Sequence, residues 1–356
     1  LAALSIHAGA RARRRILEQG LHPDQFRVMV GASGGPKWFV LYGLDRYLFG
    51  EFFASRQQPL YTLGSSAGAW RLACLSTAEP VLAIERLAEL YSHERYSAQP
   101  TPAEVSGQAR AMLDKVLGED GDEQIAANKV FRLHIVADRF RGLTANSPGW
   151  QQATVLGASA AFNSLSRRSL NWFLERTLFT NLGDSSPWAN LSDIATTTVQ
   201  LESGNVVDAL IASGSIPFVL EAVKHIPGAK PGLYWDGGIS DYHFDLPFLE
   251  DDELVLYPHF QGRVVPGWFD KHLPWRHASA RNYDNVVLLA PSPEFVASLP
   301  QGKLSDRNDF KTLDYEQRVA VFQEVLSRSQ LLAEEFAALV TNGVDDSAIQ
   351  PIGNVR

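Results

Sequence analysis

The sequence has a single cysteine, Cys74, so an internal disulfide bond is excluded. It also lacks an uninterrupted apolar run of the length that crosses a bilayer, and no membrane-spanning helix is predicted. Near the N-terminus the apolar residues precede the basic ones, which is the reverse of a secretory signal. We therefore expect a cytoplasmic protein that is either soluble or peripheral at a membrane.

The sequence also lacks an excess of positively charged residues. The 32 Lys and Arg residues are outnumbered by 40 Asp and Glu, giving a formal net charge of −8. Since nucleic-acid binding requires a basic surface, nucleic acid is not an expected partner. The main exception is a cluster formed by Arg11, Arg13, Arg14 and Arg15. It is interpreted as the solvated face of a helix, with contact to an anionic membrane surface as the alternative.

What is present is an alternation of apolar runs with helical patterns, in a chain that is 45% hydrophobic. This alternation predicts an α/β protein with a central, largely parallel sheet. Strands are predicted at residues 26–30, 60–63, 131–136, 196–201, 233–235, 254–257 and 286–289, and helices at 38–49, 67–75, 81–91, 102–117, 206–212 and 315–340. No linker-like break separates the candidate motifs between residues 31 and 238. We therefore expect one domain over residues 1–356, with a motif-bearing core at 26–250 and C-terminal strands and a helix at 251–356.

The pattern G-x-S-x-G occurs twice, at residues 31–35 and 64–68. A nucleophile elbow requires a strand, a very tight turn and an immediate helix, with glycines two positions before and after the serine. The second copy meets this requirement, because a strand is predicted before it and a small-residue helix after it. The pattern therefore indicates Ser66 as the nucleophile, flanked by Gly64 and Gly68.

The first copy is less suited to an elbow. Ser33 is followed by Gly34, Gly35 and Pro36, and Pro36 favours a helix that begins there rather than at the serine. The loop before that helix is rich in backbone amides that can donate hydrogen bonds. We interpret it as an oxyanion hole, with a purely structural glycine turn as the alternative.

A candidate base follows a third apolar strand. Asp236 ends the predicted strand at residues 233–235, and Gly237 and Gly238 come next. Open α/β sheets place their sites at the carboxyl ends of strands. Partial burial beside Trp235 would raise the pKa of this carboxyl and make it a better base. The competing interpretation is an ordinary Asp-Gly turn.

Together these segments resemble the patatin-like phospholipase family, which has a glycine-rich oxyanion loop, a G-x-S-x-G serine and an Asp-Gly-Gly aspartate in this order. Residues 212–217 resemble the family's small-residue and proline stretch that precedes the aspartate. The resemblance covers about residues 26–250 and implies a three-layer sandwich. In the oxyanion stretch Lys37 and two glycines are kept, whereas Ser33 and Trp38 replace family glycines.

The resemblance also implies an activity without a cofactor. Ser66 and Asp236 would form a dyad that cleaves a lipid acyl ester through an acyl-enzyme, with Gly34 and Gly35 holding the oxyanion. The implied substrate is a phospholipid or lysophospholipid, and an acyltransferase would use the same residues. Residues 165–179 combine apolar and basic side chains. They predict either a lid or interfacial helix, with transient contact to a membrane surface, or an amphipathic helix packed on the core.

Three other interpretations stay open at this point. The first is a Ser-His-Asp triad, for which the histidines after Asp236 are candidates: His243, His259, His272 and His277. The second is a metal site, because Asp241, His243 and Asp245 alternate and would share one face of a strand, with His259 as a further ligand. The third is a patatin-like scaffold that binds lipid without turnover.

Overall fold

The structure, a computed structural model, describes residues 2–144, 147–248 and 253–356. Its centre is a ten-stranded, mostly parallel sheet flanked by helices. Along the sheet the strand order is β10-β1-β9-β8-β2-β3-β4-β5-β6, and β7 pairs with β4 off this path. The strands are β1 Leu4–Ala8, β2 Phe26–Gly31, β3 Leu60–Ser65, β4 Phe131–Phe140, β5 Leu174–Thr180, β6 Thr196–Gln200, β7 Leu233–Asp236, β8 Leu254–Pro258, β9 Val286–Pro291 and β10 Ile349–Gln350.

Helices connect most of the strands. The α-helices are α1 Ala10–Gln19, α2 Tyr42–Tyr47, α3 Ala67–Leu75, α4 Pro80–Ser92, α5 Pro102–Leu117, α6 Gly121–Ala127, α7 Gly149–Leu165, α8 Ser203–Gly214, α9 Ala280–Tyr283, α10 Pro293–Ser298, α11 Asp309–Thr312, α12 Tyr315–Arg328 and α13 Gln330–Asn342. No helix in the described ranges is long and apolar enough to cross a bilayer. The main apolar core draws on residues from Ala3 to Ile352, and a second buried cluster surrounds Phe140 and Trp235.

Two predicted helices differ from those observed. Residues 38–49 form the end of a 3-10 helix over Gly35–Leu41, then α2 and a π-helix over Leu48–Phe52. The predicted helix at 315–340 is divided at Ser329 into α12 and α13. At this division the backbone of Gly43 in α2 packs closely against Ser329, and the Gly43 amide donates to Ser329 Oγ at 2.8 Å. Packing between distant segments thus sets both boundaries. The predicted boundary at residues 250/251 lies outside the described residues.

The prediction for residues 165–179 is wrong in its main part. Residue 165 ends α7, a 3-10 helix covers Arg167–Trp172, and β5 begins at Leu174. Every residue of β5 is buried, including Glu175 and Arg176. The apolar and basic side chains of this stretch predicted a helix, but the charges of Glu175 and Arg176 are paired inside the protein with Arg139 and Asp241.

Strand β4 brings the two candidate catalytic segments together. It continues to Phe140, four residues beyond the predicted end, and one of its edges carries two different strands. The parallel strand β3 ends with Ser65 opposite Val136, and the antiparallel strand β7 ends with Asp236 opposite Ala137. Because β3 and β7 run toward each other along this edge, their carboxyl ends meet.

Candidate active site

Ser66 lies in the sharp turn between β3 and α3. Its backbone has φ 53° and ψ −132°, a strained conformation for a residue with a side chain. Its amide donates to Ser213 Oγ at 2.9 Å, and its carbonyl accepts from the amide of Trp70 at 3.2 Å. These contacts hold the Ser66 side chain toward the cavity side of the sheet, as in a nucleophile elbow.

The flanking glycines allow close backbone packing. A Cβ at Gly64 would lie 2.7 Å from the amide nitrogen of Ala69, and one at Gly68 would collide with the carbonyl oxygen of Gly31. Helix α3 therefore packs directly against the ends of β2 and β3. A side chain at either position would push the helix, and the turn that contains Ser66, away from the sheet.

Asp236 contacts Ser66 directly. Ser66 Oγ donates to Asp236 Oδ2 at 2.8 Å, and the amide of Gly238 donates to Oδ1 at 2.7 Å. Both side chains are almost completely buried, since each residue is 6% exposed. In the described part of the chain, no Lys or Arg nitrogen lies within ion-pair distance of this carboxyl group.

Burial raises the pKa of Asp236 to about 6, although the hydrogen bonds from Ser66 and Gly238 oppose the rise. The more distant positive charges of Arg307 and Lys271 oppose it as well. A carboxylate with a pKa of this value is a stronger base than an ordinary aspartate and is still ionised at neutral pH. The site thus joins a hydroxyl to a base that can accept its proton.

The backbone after Asp236 is packed so closely that only glycine fits at Gly237 and Gly238. A Cβ at Gly237 would collide with the carbonyl oxygen of Val136, and one at Gly238 would lie 2.5 Å from Ser33 Oγ. The turn after Asp236 therefore packs against both β4 and the predicted oxyanion loop.

The predicted oxyanion loop lies beside Ser66, but its members differ in their surroundings. The amide of Ser33 donates to the carbonyl of Tyr242 at 3.0 Å, and Ser33 Oγ is bonded to Ser65 Oγ at 2.7 Å. No described residue accepts a hydrogen bond from the amides of Gly34 or Gly35, and both glycines line the same cavity as Ser66. Ser33 therefore anchors the loop, whereas the two glycines have amides available to a ligand.

Lys37 and Trp38 follow in the 3-10 helix, which begins at Gly35 rather than at the predicted Pro36. Lys37 Nζ lies 5.0 Å from the centre of the Phe260 ring, and burial lowers its pKa. The Trp38 ring is buried between Phe39 and Tyr91. Its bulk therefore fills the core rather than the space over Gly34 and Gly35.

The histidines do not join Ser66 and Asp236. In the described residues, none of the four candidates hydrogen-bonds either side chain. His243 and His259 are fully buried with their rings 4.3 Å apart, and burial lowers the pKa of His259 to about 3. Both are therefore neutral residues of the core.

The alternating acidic and histidine residues do not share a strand face, because residues 241–245 form no strand. Asp241 binds Arg176 and Arg167, and Asp245 accepts from the amide of Ser279 and from Asn282. Within the described ranges, no group of three or more His, Cys, Asp or Glu residues is arranged to hold a metal ion. The prediction that Asp241, His243 and Asp245 share one face of a strand is therefore wrong.

Two features of the site were not found by sequence reasoning. Ser213, in the segment that resembles the family's small-residue stretch, accepts from the Ser66 amide and donates to the Val136 carbonyl at 2.6 Å. Behind the turn, Asp241 belongs to a buried ionic cluster with Arg176 and Asp193. The only available signal for the first was a serine in the Ser-Gly pair that ends α8, and the second carried none.

A cavity of about 840 Å³ opens in front of Ser66, and a smaller one of about 210 Å³ adjoins it and contacts Asp236. Gly34, Gly35 and Ser66 line both. One part of the larger cavity is apolar and is formed by Trp70, Val105, Ala109, Met112, Val219 and Leu220. This part has the character of a site for a hydrocarbon chain.

A family profile described as patatin-like phospholipase matches residues 53–243, more than half of the chain. No curated protein sequence is significantly similar to the chain. The match includes Ser66 and Asp236 but ends before Lys271 and Arg307.

Several solved structures share features of the fold at low identity. VipD from Legionella pneumophila is 14% identical, with a TM-score of 0.37 over 87% of this chain and 67% of VipD. Human GIVD cytosolic phospholipase A2 is 12% identical, with a TM-score of 0.38 over 95% of this chain and 62% of that one. The type III effector protein ExoU is 13% identical, with a TM-score of 0.27 over 87% of this chain and 53% of that one. The chain thus spans roughly half to two thirds of these larger proteins.

Proposed function

Because the chain belongs to the patatin-like phospholipase family, whose members are lipid acyl hydrolases, we propose that it cleaves a carboxylic ester of a lipid with Ser66 and Asp236. One observation carries the proposal: Ser66 Oγ donates a 2.8 Å hydrogen bond to a buried carboxylate. A serine hydroxyl becomes an effective nucleophile only when a base takes its proton. Here the base contacts the hydroxyl directly, without an intervening histidine.

In the first step Asp236 removes the Ser66 proton as Ser66 Oγ bonds to the ester carbonyl carbon. The carbonyl electron pair moves to oxygen, and the amides of Gly34 and Gly35 stabilise that oxyanion. Removal of one such donor typically costs a factor of about 100 to 1,000 in rate. Because these amides already lack partners in the described protein, they are available without rearrangement.

Collapse of the tetrahedral intermediate breaks the ester C–O bond, and protonated Asp236 returns its proton to the departing alkoxide. The products are an acyl-enzyme on Ser66 and a free alcohol. A water molecule then attacks the acyl carbon while Asp236 accepts its proton, and the second collapse restores Ser66. We propose water as the acceptor, so that the reaction is hydrolysis rather than acyl transfer.

The same cavities support a lipid as the substrate. Phe218, Val219 and Trp268 line the smaller cavity and are also exposed, with Phe218 59% and Trp268 41% accessible. Exposed aromatic residues at the entrance to an apolar cavity are suited to transient contact with a lipid surface. We also propose that the whole chain acts as one catalytic domain, since β1, β9 and β10 extend the sheet that holds Ser66.

The test is acyl release from a monoacylglycerol and from a p-nitrophenyl ester by the native protein, Ser66→Ala and Ser76→Ala. Ser76 is a matched control, because it is buried at the other end of α3 and its hydroxyl donates to the Leu72 carbonyl. We expect Ser66→Ala to lose activity while Ser76→Ala retains it. Turnover that persists in Ser66→Ala, or a native protein without turnover, contradicts the proposal.

A further inference from the structure

Helix α7 exposes large apolar side chains and buries polar ones. Its buried residues are Leu156, Ser159 and Asn163, which share one face because they are spaced by three and four positions. On the opposite face Trp150 is 69% exposed and Leu165 is 82% exposed. A surface helix ordinarily turns its apolar face to the core and its polar face to water. In α7 this arrangement is largely reversed.

Hydrogen bonds hold the polar residues of α7 on the inside. Asn163 Nδ2 donates to Asp270 Oδ1 at 2.7 Å, and the Asn163 carbonyl accepts from the Arg276 guanidinium. The Ser159 hydroxyl donates to the carbonyl of Val155 at 2.7 Å. These bonds fix which side of the helix faces the protein. The apolar side of α7 is therefore held outward.

The outward side of α7 is an uncharged strip that runs the length of the helix. This α7 strip consists of five exposed residues spaced by three or four positions: Trp150, Thr154, Gly157, Ala161 and Leu165. The Thr154 hydroxyl donates to the Trp150 carbonyl at 2.8 Å, so the polar side chain in the strip is satisfied within the helix. A Cβ at Gly157 would have no described atom within 4 Å. The middle of the strip thus faces open space.

Exposed aromatic rings continue the apolar surface beyond α7. The Phe162 ring lies 5.5 Å from the ring of Trp172, which is 67% exposed in the 3-10 helix after α7. The 3-10 helix over Trp268–His272 packs against α7 as well. Four of the eight tryptophans of the chain are exposed in these neighbouring segments: Trp150, Trp172, Trp268 and Trp275. Indole rings are favoured where hydrocarbon meets water.

The charges beside the strip are positive, although the protein is acidic. Residues 141–173 contain Arg141, Arg167 and Arg168 but no Asp or Glu, in a chain with 40 acidic residues and a formal net charge of −8. Arg168 is exposed and lies in the same 3-10 helix as Trp172. An apolar helix face with exposed tryptophan and neighbouring arginine is suited to an anionic lipid surface.

The inner side of α7 connects this surface to the candidate active site. Leu156 of α7 and Trp268 both line the smaller cavity, which also contacts Ser66 and Asp236. Trp268 is 41% exposed as well. A lipid layer that covers the α7 strip would therefore lie beside the entrance to that cavity.

We propose that the α7 strip, together with Trp172 and Arg168, docks this protein on an anionic lipid bilayer. The helix lies parallel to the membrane, Leu165 and Trp172 enter the hydrocarbon, and Arg168 lies among the negatively charged headgroups. The choice of a lipid rather than a protein as the occupant rests on the proposed function, because the strip borders a cavity of the ester-cleaving site. The docking residues are separate from Ser66 and Asp236, so binding can be measured without turnover.

The test measures binding of the full chain carrying Ser66→Ala to phosphatidylcholine vesicles, with or without phosphatidylserine, by sedimentation. We expect Leu165→Glu and Trp172→Glu each to weaken binding by about 10- to 100-fold, because each removes a large apolar side chain from the hydrocarbon. Arg168→Gln is expected to weaken binding by about fivefold, and only on vesicles that contain phosphatidylserine.

Leu331→Glu is the matched control for the two glutamate variants. Leu331 is 43% exposed on α13, which packs against β1, near the end of the sheet opposite β5 and β6. The substitution adds the same charge at a comparable apolar position, and we expect it to retain native binding. Without Ser66→Ala, all three glutamate variants are expected to cleave dissolved p-nitrophenyl butyrate at the native rate, which also shows that they fold.

Loss of vesicle binding in Leu165→Glu and Trp172→Glu, with binding retained in Leu331→Glu, supports the docking surface. Equal binding by all forms, or equal loss in all three glutamate variants, overturns it. Binding that does not depend on phosphatidylserine overturns the anionic character of the lipid. A dimer in sedimentation velocity that Leu165→Glu dissociates overturns the proposal in favour of contact between two copies of the chain. A native protein that binds vesicles through the strip but cleaves no ester contradicts the proposed function alone.

Discussion

Two aspartates five positions apart, Asp236 and Asp241, have opposite surroundings. Asp236 faces the cavity and is bonded to the Ser66 hydroxyl and the Gly238 amide. Asp241 faces away and is bonded to Arg176 at 2.6 Å, to Arg167 at 3.2 Å and to the Ser240 hydroxyl at 2.6 Å. One carboxylate lacks a neighbouring cation and can take a proton, whereas the other is fixed by two.

The two regions also depend on each other. The carbonyl of Asp241 accepts from Ser65 Oγ at 2.7 Å, and Ser65 directly precedes Ser66. The hydroxyl of Ser240 donates to Asp138, whose pKa burial and the charge of Asp241 raise well above the usual value. The ionic cluster behind the turn thus holds both strand ends in place while the groups in front keep unused hydrogen-bonding capacity.

The largest expected effect is a difference in activity between variants of the two aspartates. Asp236→Asn keeps the shape of the side chain but removes the base, so we expect kcat to fall by roughly 10⁴ without loss of folding. Asp241→Asn removes a charge from the cluster, and we expect a lower melting temperature with kcat per folded molecule within about tenfold of native. Ester kinetics and thermal unfolding on both variants measure this, and the reverse pattern contradicts the roles assigned here.

The next effect concerns stability alone. Arg176→Met leaves Asp241 and Asp193 without their buried partner, and we expect the free energy of unfolding to decrease by about 3–5 kcal/mol. Arg110→Met is the control, because Arg110 is half-exposed in its pair with Asp208, and such pairs contribute about 1 kcal/mol or less. Urea unfolding compares the two, and similar losses would remove the distinction between the cluster and a surface pair.

A smaller effect depends on pH. Because burial raises the pKa of Asp236 from 3.8 to about 6, ionising it in the folded state costs about 3 kcal/mol of unfolding free energy at pH 8. This cost is absent at low pH, grows between pH 4 and pH 6, and is fully present above. Asp236→Asn is therefore expected to be more stable than the native protein at pH 8 and similar near pH 4. A variant that gains nothing between these pH values contradicts the cause assigned to the pKa.

The smallest effect concerns Ser213, whose hydroxyl accepts a hydrogen bond from the Ser66 amide. Ser213→Ala removes the acceptor of the Ser66 amide, so we expect kcat to fall about tenfold while KM stays near the native value. Ser215→Ala is the control, since Ser215 is also buried and its hydroxyl donates within α8, to the Ile211 carbonyl. Equal effects of the two substitutions would indicate a general packing role for Ser213.

Local sequence patterns were sufficient to predict the residues on the cavity-facing side of the site, around Ser66 and Asp236. The glycines around Ser66 and after Asp236 are dictated by backbone contacts over a few residues, and such contacts leave a motif. The ionic cluster behind the turn has no comparable motif, because Arg176 and Asp241 are 65 positions apart. Charges at Asp138 and Arg176 therefore concealed the end of β4 and the whole of β5. Lys271, in a short 3-10 helix over Trp268–His272, and Arg307, in a turn, were missed for the same reason.

The most direct test of the account is the pH dependence of fluorophosphonate labelling, followed by intact mass and peptide mapping. The account predicts one label per chain, on the peptide that contains Ser66, at a rate that rises with pH through a midpoint near 6 as Asp236 ionises. Labelling is expected to be lost in Ser66→Ala and strongly slowed in Asp236→Asn. A label on another residue, or an undiminished rate in Asp236→Asn, would contradict the claim that Asp236 activates Ser66.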